Sequence, residues 1–298
     1  MSHAVSPSAK RPCGVARVCE ALEIPRSTFY GRKQRQADPS PPRKRGPKTL
    51  YDDDQLTNLI RKVLRESPFV GEGHRKVWAR LRVLENVRAS KARVLRLMRE
   101  ADLLAPHRPR RVLGAKAHDG TIVTDQPNLM WGTDATRVFT QEDGWVTVFI
   151  GVDHATSECV GLHAAKIGTR FEALEPIRQG VRERFGAFRA QVAAGLKLRH
   201  DHGSQYTSDH FQAELKFLGI ESSPSFVRAP EGNGCSERFI RTLKEQLLWL
   251  CLFDTAEELR LALLEWKELY NESWLVQRHG HLTPSQARRA LEAKALAA

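Results

Sequence analysis

Residues 129–139 read LMWGTDATRVF, residues 145–153 read WVTVFIGVD, and residues 158–165 read ECVGLHAA. The middle stretch is nearly continuous apolar sequence, the pattern of a strand central in a sheet and buried on both faces. The first stretch is a strand candidate, and the third lies one short polar turn beyond the second as its hairpin partner. Residues 170–185 switch to helical spacing, with Phe171, Leu174, Ile177, Val181 and Phe185 on one face. A short strand is expected at 196–200, a helix at 209–218 and a longer helix at 235–250. Three strands, a helix, a strand and then helices predict an α/β fold with a mixed sheet covered by helices.

Three acids stand out against that frame. Asp134 sits in the first strand, within WGTDAT, although carboxylates are depleted from strands and costly inside a sheet. Asp201 directly follows the strand at 196–200, within HDHGSQYTS, and open mixed sheets place their sites at the carboxyl ends of strands. Gly203 lets the backbone turn there. Glu237, within GNGCSERF, falls in about the first turn of a helix opened by Gly232, Asn233 and Gly234, where the helix dipole favours an ionised acid. At about 100° per residue, Glu237, Arg241 and Lys244 share one side of that helix, with Phe239, Leu243 and Leu247 opposite.

Those residue types suit phosphodiester chemistry. In-line displacement needs the attacking and leaving oxygens stabilised together, which two Mg²⁺ ions about 3.5–4 Å apart accomplish, and hard cations prefer carboxylate oxygens. Asp134 is expected to bridge two ions, Asp201 and Glu237 each to complete one shell, and Arg241 and Lys244 to clamp DNA phosphates.

The front of the chain reads differently. Residues 15–32 suggest two short helices about a turn, with Leu22, Ile24 and Phe29 as a small core and Arg26, Ser27, Tyr30 and Arg32 free to face a DNA groove. Residues 33–49 are rich in Pro and basic residues and read as an extended linker. Residues 53–104 are helical again: Leu56, Leu59, Ile60 and Val63 line one helix, Val77, Leu81 and Leu84 a second. Ser90 is a candidate N-cap for a third that buries Val94, Leu95, Leu97 and Met98 and exposes Lys91, Arg93, Arg96 and Arg99. A basic linker follows at 106–117. The simpler readings of these front elements are an amphipathic hairpin and a basic helical spacer.

Charge follows the same division. Residues 1–120 hold 27 Lys and Arg against 12 Asp and Glu, and residues 121–298 hold 20 against 23. A polycationic front suits binding to a phosphate backbone through counterion release, the alternative being a solvated basic surface. No apolar run approaches the roughly 18 residues of a spanning helix, and residues 1–12 lack a secretory apolar stretch, so a soluble cytoplasmic protein is expected. Cys13, Cys19, Cys159, Cys235 and Cys251 form no CxxC pair, and reduced thiols without structural zinc are expected. His200 and His202 lack a third zinc ligand and read as local packing or phosphate contacts. Asp153 reads as a turn residue, Cys235 as a small filler facing away from Glu237, and Asp52, Asp53 and Asp54 as charge at a helix N-terminus.

The triad resembles the pattern of transposases and retroviral integrases in which two Asp are followed, after 35 residues, by Glu; here residues 202–236 are the 35. More narrowly, residues 15–290 resemble the OrfB half of insertion-sequence transposases of the IS-three group, whose gene is split across two overlapping frames. ALEIPRSTFYGR at 21–32, RVLRLMREADLLAP at 93–106 and LTPSQA at 282–287 add to the match. His202 stands where Asn is common, and the link at 270–279 is longer than usual. The resemblance implies a ribonuclease H-like fold, Mg²⁺ or Mn²⁺ dependence, and end cleavage with strand transfer on transposon and target DNA. It also implies an OrfA partner or fusion, and synapsis of two ends implies a homo-oligomer.

The resulting division is a helix-turn-helix at 1–35, a linker at 36–50, a second helical DNA-binding module at 51–105, a linker at 106–120 and a ribonuclease H-like core at 121–290. Two rivals stand beside an active transposase: a DNA-binding protein whose catalytic half has decayed, and a plain nuclease that forms no joined products.

Overall fold

The structure is a computed structural model that describes residues 5, 7, 10–37, 50–106, 122, 124–225 and 233–297. Residues 33–37 of the first expected linker are helical, while the rest of both linkers lies almost wholly outside these residues, as does Gly232. The chain divides into two compact units, Met1–Leu50 and Tyr51–Ala298.

In the first unit α1 (Val15–Ala21) and α2 (Arg26–Ala37) form the expected hairpin. The expected small core is absent among its described residues. Leu22 and Ile24 are 52% and 36% exposed and line an open apolar hollow with Val18 and Phe29, and only Cys19 is buried. Two helices this short cannot enclose three apolar side chains between them.

The second unit begins with α3 (Asp53–Glu66), α4 (His74–Val83) and α5 (Lys91–Glu100). Asp52 caps α3 reciprocally with Gln55, and Ser90 caps α5 by accepting from the Arg93 amide. Leu56, Ile60, Val63, Val77, Leu81, Val94 and Met98 make the shared core, with Leu59 packed at its edge. Leu84, expected inside, lies beyond the end of α4 and is exposed; Leu95 is only half-buried.

Five strands follow in the spatial order β3-β2-β1-β4-β5: β1 (Met130–Thr140), β2 (Gly144–Asp153), β3 (Cys159–Ala165), β4 (Lys197–His200) and β5 (Glu221–Pro224). The first three form an antiparallel meander; β4 runs parallel to β1, and β5 parallel to β4. This is the ribonuclease H-like mixed sheet, with β2 flanked on both sides and largely buried, as expected, and β1 in the middle position. The helices α6 (Arg170–Phe185), α7 (Ser204–Thr207) and α8 (Asp209–Leu218) cover one face around Trp131, Phe149, Val160 and Leu198. The other face, lined by Val138, Val148, Ile150 and Val152, is covered by α9 (Gly234–Leu243) and α10 (Ala256–Ser273). Gly161 lets α6 lie close on β3, because a Cβ there would stand 2.1 Å from the Pro176 carbonyl oxygen.

Expectation and structure part in several places. Phe171 and Trp145 lie at element ends and are 47% and 56% exposed. The helix expected over 235–250 is α-helical only to Leu243 and continues as a π turn, Lys244–Leu248. The wider turn shifts the apolar stripe by one residue, so Leu248 is buried where Leu247 was expected.

After α10, a 3₁₀ turn (Gln277–His279) leads to α11 (Pro284–Leu296), which opens with a capping box between Thr283 and Gln286. Arg288 of α11 pairs with buried Glu158, which also pairs with Arg184 at 2.7 Å. The three-helix module is joined to this end of the core. Phe69 meets Trp274 edge to face, Lys76 lies over the Trp274 ring, and Arg80 donates to the Ser273 carbonyl while forming a buried pair with Glu72. Among the described residues no helix is long and apolar enough to cross a membrane.

Candidate active site

Strand alternation sets Trp131 on the α6 face of β1, and hence Gly132, Asp134, Thr136 and Val138 on the face covered by α9. Asp134 is half-buried there and its Oδ1 accepts the Ala135 amide at 2.8 Å. The parallel register pairs Trp131 with Leu198 and Gly132 with Arg199, and β4 ends at His200, so Asp201 follows directly on the strand beside the one that carries Asp134. Asp201 is exposed at the end of β4, and its Oδ1 accepts the Gly203 amide at 2.8 Å, closing the turn into α7.

Glu237 enters from the opposite side, exposed on the first turn of α9. That helix is pinned to β1 at its first residues, where the Asn233 Nδ2 donates to the Thr133 carbonyl at 3.0 Å. Phe239, Ile240 and Leu243 bury the other side of α9.

The electrostatics register the approach of the three acids. Burial pushes the Asp134 carboxyl up to about 6; the Ala135 amide opposes the rise, the charges of Asp201 and Glu237 add to it, and Lys244 opposes it. Burial also raises Glu237 above the usual carboxylate range. The acids thus face a common space without forming a closed shell: among the described residues no three His, Cys, Asp or Glu are drawn together tightly enough to hold an ion.

Neighbouring residues divide into those that face the site and those already engaged. Lys244, half-buried in the π turn, bears on Asp134, whereas the Arg241 Nε donates to Glu245 at 2.8 Å. His200 is buried, its ring bonding the Asp201 carbonyl and the Ser222 hydroxyl, so it packs locally. His202 contacts the Ser225 carbonyl. Tyr206 lies fully buried, with Asp134 and Asp201 both acting on its hydroxyl. In the sequence Tyr206 stands in a polar stretch, where an aromatic residue carries no signal of burial.

Asp153, expected as a turn residue, is instead the last residue of β2; it accepts from the Asn128 and Thr156 amides beside the turn and is wholly buried. Cys235 packs against the α10 side of the core, with its thiol pushed up to about 11 by burial.

The front residues are spread over both units. Arg26, Ser27, Tyr30 and Arg32 are exposed on α2, and Lys91 and Arg99 on α5. Arg93 and Arg96, expected to be free, instead converge on Asp53 at 2.8 and 2.7 Å, because the capped start of α3 lies beside α5. Lys91 sits 4.4 Å from the centroid of the Trp78 ring.

Family models match this architecture segment by segment: an HTH-like domain over residues 52–111, and integrase core domains over residues 124–230 and 218–284. The chain is therefore an integrase-core protein of the polynucleotidyl transferase class, with an HTH-like domain ahead of the core. Within that class it is a homologue of the insertion-sequence transposases of the IS-three group. It is similar to the transposase for insertion sequence element IS629 of Shigella sonnei, with 28% identity over 93% of this chain and 92% of the relative. It is also similar to transposase InsD for insertion element IS2D of Escherichia coli K12, with 27% identity over 80% of this chain and 78% of that one. Among solved structures, the catalytic core domain of BIV integrase aligns at 20% identity, covering 57% of this chain and 99% of that chain, with a TM-score of 0.41.

Proposed function

We propose that Asp134, Asp201 and Glu237 are the catalytic, metal-binding acids of a transposase that cleaves the ends of a bacterial insertion sequence and transfers the strands to target DNA. The observation that carries this is the convergence of the acids: Asp134 on β1, Asp201 just past the neighbouring strand β4 and Glu237 on the first turn of α9, near enough that the charges of Asp201 and Glu237 both bear on Asp134. Hard oxygen donors that repel one another and remain partly open to solvent suit a divalent cation, which relieves that repulsion. Asp134, Asp201 and Glu237 would together hold the Mg²⁺ or Mn²⁺ ions. Bound there, the ions supply charge stabilisation to the attacking and leaving oxygens of a phosphodiester exchange. Lys244, beside Asp134, holds a substrate phosphate, and Arg241 joins it after exchanging Glu245 for DNA.

The exposed residues Arg26, Ser27, Tyr30 and Arg32 of α2, with Lys91 and Arg99 of α5, contact the terminal repeats. Arg93 and Arg96 serve there only if DNA displaces Asp53. Bringing two ends together calls for a homo-oligomer, and the family resemblance adds an OrfA partner or fusion. Acting on chromosomal DNA places the protein at the nucleoid, in the cytoplasm.

The test is a strand-transfer assay with end DNA and Mn²⁺. Asp134→Asn, Asp201→Asn and Glu237→Gln should each abolish cleavage and joining while DNA binding persists. Joining by any of the three overturns the assignment, and hydrolysis without joined products identifies a nuclease instead.

A further inference from the structure

Gly132, two residues before Asp134, faces the start of α9 across a small polar space. A Cβ built on Gly132 would stand 2.4 Å from Ser236 Oγ, 2.8 Å from His154 Nε2 and 3.3 Å from Asn233 Oδ1. Three polar atoms from two chain segments therefore gather about one point. The three residues are 0%, 5% and 6% exposed, and none of these atoms has a hydrogen-bond partner among the described residues. Buried polar atoms left unpaired are uncommon, and three around one glycine are complementary in kind.

Their chemistry closes a chain. Asn233 is oriented by its Nδ2, which donates to the Thr133 carbonyl, leaving Oδ1 to accept. A serine hydroxyl both donates and accepts. Burial lowers the His154 ring to about 4, so it is neutral and carries one donor and one acceptor nitrogen. With Nε2 protonated, His154 has a donor for Ser236 Oγ, and the Ser236 hydroxyl has one for Asn233 Oδ1. The base of His154 is already fixed: its amide donates to the Met130 carbonyl at 2.9 Å, and its carbonyl accepts from Arg278.

We propose that His154, Ser236 and Asn233 form a polar clasp over Gly132 that sets the gap between Asp134 and Glu237, with His154 as a positioning residue. Glu237 directly follows Ser236, and Asp134 shares the sheet face of Gly132, so a shift in the clasp moves one acid against the other. This inference rests on the reading that the acids bind divalent ions together. The absence of a side chain at Gly132 is what lets α9 approach closely enough for the clasp to form.

The test measures Mn²⁺ binding to the full chain without DNA, by the paramagnetic resonance of free Mn²⁺, alongside thermal melting. Ser236→Ala and His154→Leu should weaken Mn²⁺ binding by about tenfold, the scale at which supporting residues act on a metal site. His154→Gln, whose side-chain amide restores a donor, should bind within about threefold of the parent. Equal loss in the Gln and Leu variants, or unchanged binding in Ser236→Ala with an unchanged melt, overturns the clasp. Ser236→Ala removes one atom and tests the idea even where His154→Leu unfolds the chain. Asp134→Asn reports on the underlying reading separately: if it binds Mn²⁺ as the parent does, the acids are not the ligands, whatever the clasp variants do.

Discussion

Asn233 reaches back a hundred residues to bond the carbonyl of Thr133, the residue directly before Asp134. The bond crosses from the first turn of a helix to the central strand of the sheet, so the start of α9 and the strand carrying Asp134 are held as one piece. Removing it with Asn233→Ala leaves the Thr133 carbonyl unpaired in a buried place, at about 1–3 kcal/mol. A loss of stability in that range in urea, accompanied by a larger loss of cleavage rate, is the expected outcome.

Gly132→Ala tests the same join by crowding. The new methyl would stand 2.4 Å from Ser236 Oγ, and α9 must retreat to admit it. Overpacking of this kind costs about 1–3 kcal/mol. Strand transfer should fall by about a hundredfold, since small misplacements at a reacting centre cost on that order. Parent-like activity with a normal melting curve would show that α9 does not depend on this approach.

Asp134→Asn should stabilise the metal-free fold at neutral pH. The folded protein holds the Asp134 proton up to about pH 6, against an ordinary value of 3.8. Between those values the native state binds more protons than the unfolded chain, so this residue's contribution falls as pH rises from about 4 to about 6 and is flat above. The gain from Asn is roughly 1–3 kcal/mol at pH 7.5 and vanishes near pH 4. Chemical denaturation at the two pH values in the presence of chelator measures it. In the same window protons compete with cations, so Mn²⁺ affinity should climb towards pH 6 and then level off.

Arg288→Ala should be the most destabilising of the surface-helix changes. Its guanidinium answers Glu158, which is 2% exposed, and lies 4.0 Å from fully buried Asp153. Glu158 keeps Arg184 at 2.7 Å, so the loss should stay below the roughly 3–5 kcal/mol that a fully stranded buried charge costs. Adding Glu158→Gln should recover part of the loss, read as a rise in melting temperature of the double variant over the single.

Arg99 and Arg93 separate the proposed DNA contact from architecture on one helix. Arg99 is exposed, and Arg99→Ala should weaken DNA binding and lower the salt slope by about one. Arg93 is engaged with Asp53 and the Tyr51 carbonyl, so Arg93→Ala should loosen the α3–α5 contact first. A DNA titration over a salt series, set beside a denaturant melt of each variant, distinguishes the two.

Long elements with a regular apolar period were legible in the sequence: α6 runs over the residues expected, and the meander β1 to β3 needed little beyond its turns. What stayed hidden depends on partners distant in the chain. β5 is ESSP, with no apolar pattern of its own, and becomes a strand because the edge of β4 offers it hydrogen bonds. Arg93 and Arg96 look free on a helical wheel, yet Asp53, forty residues earlier, claims both. Leu22 and Ile24 look like core, yet among the described residues the hairpin of two short helices has no third layer over them. At the site, the contexts of the acids stood out because carboxylates beside strands are unusual. The polar atoms around Gly132 did not, because a glycine, a histidine, an asparagine and a serine carry no periodicity.

The seam that ties Phe69, Lys76 and Arg80 to Trp274 and Ser273 turns the three-helix module and the acidic core into a caliper. On the proposed reading, a duplex gripped at α5 and cut beside Asp134 would be gauged by protein, which would fix the number of base pairs between the gripped sequence and the severed bond. Inserting half a helical turn of DNA, about 5 base pairs, would rotate that bond to the far side of the duplex.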